Sequence, residues 1–165
     1  MNSLISDAYL LVGFIVVSMV MGAIHRRLTS SGSILAVLYC LPFTILHELT
    51  HFLVAFFTGG RPSSFSVWPK RVGQGWVLGS VSSVPTIISA APTALAPLLL
   101  LALGYYAMSL WAIRPPWVPE YLILGILYAC SAACIPSWQD MKVALKHPFS
   151  LLLWVSVAYI VLRLK

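Results

Sequence analysis

The sequence predicts an all-α polytopic membrane protein with about five transmembrane helices and a short membrane-associated β-hairpin after the second helix. Hydrophobic residues make up 60% of the 165 residues and charged residues only 8%, which is too apolar for a soluble domain of this size. Apolar runs of roughly membrane-spanning length recur along the chain. The 11 prolines and 10 glycines are typical of broken or re-entrant membrane helices.

The first two apolar runs predict transmembrane helices. No basic leader precedes the first run, residues 8–24, so we expect it to be retained as a membrane helix rather than cleaved as a signal peptide. Basic residues and a polar turn follow it. The second run, residues 34–57, carries two histidines and a glutamate in its C-terminal half. Thr58-Gly-Gly-Arg-Pro62 is expected to end this helix.

The segment after the second helix predicts a β-hairpin. Residues 64–69 and 75–81 show strand-like alternation, and Lys70–Gln74 between them has the composition of a turn. An ordinary amphipathic loop at the membrane interface is the alternative interpretation.

Three further apolar runs complete the predicted fold. Residues 84–111 contain three prolines before Leu98, so we expect a broken or re-entrant segment followed by a span. The runs at 121–135 and 149–162 predict the last two helices. We expect residues 1–165 to form one membrane-embedded metalloprotease-like domain, with a core at 34–141 and peripheral helices at 8–24 and 149–162.

A His-Glu-x-x-His motif lies inside the second apolar run. On a helix, His47 and His51 share one face, one turn apart, with Glu48 beside them. This spacing lets two imidazoles bind one zinc while the carboxylate acts as general base towards the zinc-bound water. Each ionisable group in a membrane costs about 2.5–3.5 kcal/mol at the helix centre, so such groups usually mark function. An interfacial cluster near a helix end is the alternative.

A catalytic zinc needs a third protein ligand and one open position. The candidate residues elsewhere in the chain are Asp140, His147, His25, Glu120, Cys130 and Cys134. Counting spans places the C-terminal end of the fourth run, with Asp140, on the same side as the motif. His147 lies on that side too, within a predicted loop, and remains an alternative. His25 and Glu120 are expected on the opposite side.

The net charge of +6 comes from short basic clusters between the apolar runs. Such clusters are typical of membrane anchors and topology signals, so we expect a lipid bilayer as a partner and no nucleic acid. The 10 basic residues divide evenly between the two predicted sides, so the positive-inside rule favours neither orientation.

Taken together, these motifs resemble the site-2 protease family of intramembrane zinc metalloproteases. The resemblance covers about Pro42 to Met141: a membrane-embedded His-Glu-x-x-His, a hairpin-like loop, a proline-rich return segment and a helix ending in Pro-x-x-x-Asp. It implies that His47, His51 and Asp140 ligate zinc, with Glu48 as the base. The family's late motif is usually Leu-Asp-Gly after an Asn-Pro pair, whereas this chain has Gln139-Asp140-Met141 after Ile135-Pro136-Ser137, as in small, divergent members.

We therefore predict a zinc-dependent intramembrane endopeptidase with one Zn²⁺ per chain and a membrane protein or peptide as substrate. The resemblance implies a multi-pass protein of the cell membrane, with the active site nearer the cytoplasmic face. The alternative is a non-catalytic membrane protein, either a metal-binding transporter or a pseudo-protease that binds partner helices. It would keep His47 and His51 but would not need Glu48. A lipid or prenyl-peptide hydrolase using the same zinc is a third hypothesis.

Overall fold

A computed structural model describes residues 2–31, 33–73, 75–111, 113 and 115–164. These residues form seven helices and four short strands, so the predicted combination of a helical fold with a small hairpin is confirmed. The helices are α1 (Asn2–Ser30), α2 (Ile34–Phe57), α3 (Ala90–Ala94), α4 (Leu98–Trp111), α5 (Glu120–Ala133), α6 (Trp138–Lys146) and α7 (Pro148–Arg163). The strands are β1 (Ser64–Ser66), β2 (Lys70–Val72), β3 (Gly75–Val77) and β4 (Ser80–Ser82).

Two of the described helices are long and apolar enough to cross a membrane. They cover Leu11–Ser30 within α1 and the whole of α2, with 20 and 24 residues. The pair α5 and α6 would add a third span if its two arms, bent by 62°, are counted together. With 14 residues, α4 is about 21 Å long, less than the ~30 Å of a bilayer core. Breaks near prolines shorten the later helices, so the structure supports fewer spans than the five predicted.

The first helix is longer than the predicted run at 8–24. Its polar end remains helical as far as Ser30. There the hydroxyl of Thr29 donates to the backbone carbonyl of His25, and the hydroxyl of Ser30 donates to the backbone carbonyl of Arg27. His25 and the two arginines after it therefore lie within α1 rather than in a loop.

The proline-rich segment after the hairpin is broken, as the sequence predicts. The five-residue α3 precedes a short turn, and α4 begins at Leu98. α3 packs against α2, α6 and α7. Two side chains of α7 fix this segment: Ser150 accepts a hydrogen bond from the backbone N–H of Ala91, and the Trp154 indole donates to the carbonyl of Ile88.

The hairpin contains two antiparallel pairs, β1 with β4 and β2 with β3. Phe65 lies opposite Val81, and Arg71 lies opposite Trp76. Lys70–Val72, predicted as part of the turn, forms β2 instead. The prediction failed there because Gly73, with φ of +61°, provides the left-handed turn conformation and lets the strands extend towards it. Gln74, also predicted in the turn, lies outside the described residues.

The main apolar core joins α1, α4 and α5. Phe14, Leu100 and Cys130 are buried there together with Ala133 and Cys134. Gly104 of α4 faces this cluster, and a Cβ atom at that position would lie 2.3 Å from Cζ of Phe14. The absence of a side chain on Gly104 therefore lets α1 approach α4.

We expect Gly104→Ala to destabilise the protein by about 1–3 kcal/mol, because the added methyl group overpacks a rigid aromatic contact. Thermal unfolding in detergent measures this change as a lower melting temperature. Gly125→Ala on α5 is the matched control: its Cβ would meet nothing within 4 Å, so a neutral or slightly stabilising effect is expected. Equal effects of the two variants would contradict the assigned contact.

Candidate metal centre

The two histidines of the motif lie in the middle of α2, one turn apart. Their Nε2 atoms are 3.2 Å from each other. His51 is buried with 6% of its surface exposed, and His47 is half-buried. The pair is thus enclosed by protein rather than placed at the end of the helix.

Backbone carbonyls orient both imidazole rings. Nδ1 of His47 lies 2.8 Å from the carbonyl oxygen of Ala133, and Nδ1 of His51 lies 2.6 Å from that of Thr93. A carbonyl oxygen only accepts, so each Nδ1 carries the proton and donates it. In the neutral form of each ring, Nε2 then keeps its lone pair free for a ligand bond, and the two Nε2 atoms face each other. This is the orientation in which ligand histidines bind metals while the second ring nitrogen is held by a neighbouring group.

The structure brings Asp140 to both rings, as the count of spans predicts. Its Oδ2 is 3.4 Å from Nε2 of His47, and its Oδ1 is 3.4 Å from Nε2 of His51. Asp140 reaches this position because the chain bends between α5 and α6, turning the first turn of α6 towards α2. One ligand atom from each of the three residues lies within 4.8 Å of the others, so this cluster could hold a metal ion.

These spacings fit a single small cation. Ligand bonds of about 2.0–2.1 Å at tetrahedral angles place two donor atoms about 3.3 Å apart. The two Nε2 atoms, 3.2 Å apart, agree with that value, and each of them has its own oxygen of the Asp140 carboxylate at 3.4 Å. A shared proton could join only two of these lone-pair atoms. A divalent cation would bind two imidazole nitrogens and a carboxylate together.

A capping box fixes the Asp140 carboxylate. The backbone N–H of Ser137 donates to Oδ2 of Asp140 over 2.6 Å, and the Ser137 hydroxyl accepts from the backbone N–H of Asp140 over 3.2 Å. The cap starts α6 and orients the carboxylate at the same time. The spacing Ser137-x-x-Asp140 is visible in the sequence, so this supporting contact could have been predicted from it.

The remaining candidate ligands lie apart from this cluster. His147 donates from Nδ1 to the carbonyl of Val143 at the end of α6, and Cys130 and Cys134 are buried in the apolar core. Among the described residues, the three-ligand group contains only His47, His51 and Asp140.

The sequence predicts His25 on the side of the membrane opposite the motif, whereas the structure brings it close to the motif. His25 lines the same cavity as His47, and its ring contacts Phe43 edge to face. His25 reaches this cavity because α1 packs against α2, with His25 beside Phe43. His25 is nevertheless not part of the three-residue cluster.

Glu48 lies between two cavities, one on each side of the centre. The first, of about 260 Å³, is bordered by His47, and the second, of about 330 Å³, by His51 and Asp140. The hairpin covers the glutamate: a Cβ on Gly79 would lie 2.8 Å from its Cγ, and Val81 borders the same cavity as Glu48. The glutamate is therefore held beside the ligand cluster.

The sequence did not indicate two supports of the centre, the carbonyl oxygens of Ala133 and Thr93. Every residue carries such an oxygen, so no residue type marks this role. Only the fold selects them, by ending α5 beside His47 and packing α3 beside His51.

Comparisons with models of protein families, with curated proteins and with solved structures gave no match. The function of the site is therefore inferred from its own geometry and chemistry. The informative features are the two imidazoles, the two carboxylates and the pair of cavities that meet at Glu48.

We expect purified wild-type protein to bind about one zinc ion per chain, and alanine at His47, His51 or Asp140 to reduce the metal content to background. Elemental analysis after dialysis against a fixed zinc concentration measures this. His147→Ala is the control and should keep its metal. Metal loss in His147→Ala together with retention in Asp140→Ala would assign the third ligand to His147.

Proposed function

We propose that the protein is a zinc-dependent intramembrane endopeptidase with Glu48 as the general base. One observation carries the proposal: two imidazoles and a carboxylate meet at metal-ligand spacing, and a second carboxylate is held beside them between two cavities. The resemblance of the motifs to the site-2 protease family supports the same activity.

The membrane location is also a proposal beyond the two candidate spans. The outward faces of the helices carry large exposed apolar side chains, for example Leu152, Val155 and Tyr159 on α7. A bilayer would cover these faces, which would be unfavourable in water. We place the protein in the cell membrane as a multi-pass protein with about five spans, including short tilted ones, and with the centre nearer the cytoplasmic face.

The donor set suits zinc. Two histidines and one carboxylate are a known ligand set of catalytic zinc sites in peptidases. The same set also suits ferrous iron in oxygenases, but a general base one residue from a ligand favours hydrolysis. When bound, zinc lowers the pKa of a coordinated water to about 7 and polarises a carbonyl group.

The protein's own groups would perform the remaining steps. Glu48 accepts the proton of the attacking water and then donates it to the nitrogen of the leaving amine. The close approach of Gly79 in the hairpin keeps the Glu48 side chain beside the centre. Asp140 stays ionised as a ligand, because the backbone N–H of Ser137 donates to it.

The two cavities favour an endopeptidase over an exopeptidase. Glu48 borders both, so an extended chain could enter through one and continue into the other with its scissile bond at the centre. A helical substrate must unwind first, because its carbonyl groups are otherwise occupied by helix hydrogen bonds.

Replacing the base tests the proposal directly. We expect Glu48→Gln to reduce hydrolysis of a membrane-peptide panel by about 100- to 10,000-fold, because the amide cannot accept the proton. Its zinc content should remain that of the wild type. Undiminished hydrolysis would exclude Glu48 as the base, and a wild type that binds zinc but cleaves neither peptides nor lipids would favour the non-catalytic alternative.

The position of the base can be tested through the hairpin. We expect Gly79→Ala to lower kcat by about 10- to 100-fold with zinc content unchanged, because its methyl group would displace Glu48. Gly125→Ala, where the added methyl group meets open space, is the matched control and should keep full activity. Full activity in Gly79→Ala would show that the close approach of the hairpin is not required.

A further inference from the structure

The cavity on the His47 side has a lining that the proposed hydrolysis does not explain. Apart from the centre itself, its walls are largely apolar and aromatic, with Phe43, Trp76, Leu78, Ile135 and Trp138. Arg26 of α1 also lines it. One permanent positive charge therefore faces the space in which a substrate segment would lie.

The guanidinium of Arg26 is directed along α1 over Gly22. A Cβ atom built on Gly22 would lie 3.8 Å from Nη1 of Arg26 and 3.1 Å from Cγ1 of Ile135. The guanidinium is thus placed near the bend between α5 and α6, and Gly22 leaves the room for it. Both arginines are exposed, but only Arg26 is part of the cavity lining, so one of the two adjacent arginines borders the site.

Arg26 has no carboxylate partner among the described side chains. The ion pairs found there join Asp140 to His47 and to His51. The whole chain has only 4 acidic residues, and Glu48 is the one that borders this cavity. The guanidinium of Arg26 is exposed, so it is accessible to a ligand that brings its own negative charge into this cavity.

We propose that Arg26 binds a carboxylate of the substrate and so selects peptides with an acidic group near the scissile bond. The inference rests on the proposed function, because the same cavity borders Glu48. Guanidinium matches a carboxylate with two parallel hydrogen bonds, which adds direction to the charge attraction. The carboxylate is either an aspartate or glutamate side chain or the C-terminus of the peptide.

The experiment measures binding to Glu48→Gln protein loaded with zinc, so that no probe is consumed. The probes are acetylated apolar octapeptides of one sequence in three forms: a neutral form with glutamine and a C-terminal amide, a form with glutamate in place of glutamine, and a form with a free C-terminus. Fluorescence of Trp76 and Trp138, which line the cavity, follows binding. We expect one acidic form to bind at least about tenfold more tightly than the neutral form.

The matched variants are Arg26→Gln and Arg27→Gln in the same Glu48→Gln background, each checked for zinc content. We expect Arg26→Gln to lose the preference for the acidic form while binding the neutral form unchanged, and Arg27→Gln to keep the preference. The form that gains affinity identifies the source of the carboxylate.

Three results would overturn the inference: equal binding of all three forms, a preference that survives in Arg26→Gln, or an equal loss in Arg27→Gln. A fourth would assign Arg26 to lipid instead, namely weaker binding of Arg26→Gln to phosphatidylglycerol vesicles with unchanged peptide preference. Hydrolysis is measured separately with the wild type. Absence of cleavage alongside an Arg26-dependent preference would refute the peptidase and leave the carboxylate site standing.

Discussion

The structure depends on the close approach of three potential metal ligands. Two are imidazoles from α2, and the third is a carboxylate from the first turn of α6. Imidazole nitrogens 3.2 Å apart, with a carboxylate 3.4 Å from each, are stable together when a cation satisfies all three. Other elements of the fold hold these groups in position. α3 and the end of α5 orient the rings through backbone carbonyls, and the cap at Ser137 orients Asp140.

The local sequence pattern predicted the features that depend only on the spacing of neighbouring residues. The i, i+4 histidines, the alternation of the hairpin strands and the prolines before α4 each have a local physical cause, and each appears in the structure. The approach of Asp140 followed from counting spans. The sequence did not indicate that His25 lines the same cavity as His47, because that proximity depends on how α1 packs against α2. Five spans were expected, whereas two described helices are long and apolar enough to cross a membrane, because the apolar runs include turn residues, as at the break after Ala133.

The hairpin and α7 show how elements outside the ligand set take part in the site. Gly79 brings the hairpin against Glu48 without a side chain between them, and Val81 borders the same cavity as Glu48. On the other side, Ser150 and Trp154 of α7 bind the segment that leads into α3, which carries the carbonyl next to His51. Both contacts use backbone groups, so neither is apparent from residue types.

The bend between α5 and α6 has a consequence for biogenesis. A ribosome makes the imidazole pair well before it makes the carboxylate, because 88 of the 165 residues lie between His51 and Asp140. Until the later segment has been translated and has folded at the bend, the nascent chain has only two members of the three-residue cluster. The order of synthesis therefore makes the carboxylate the last of the three groups to arrive.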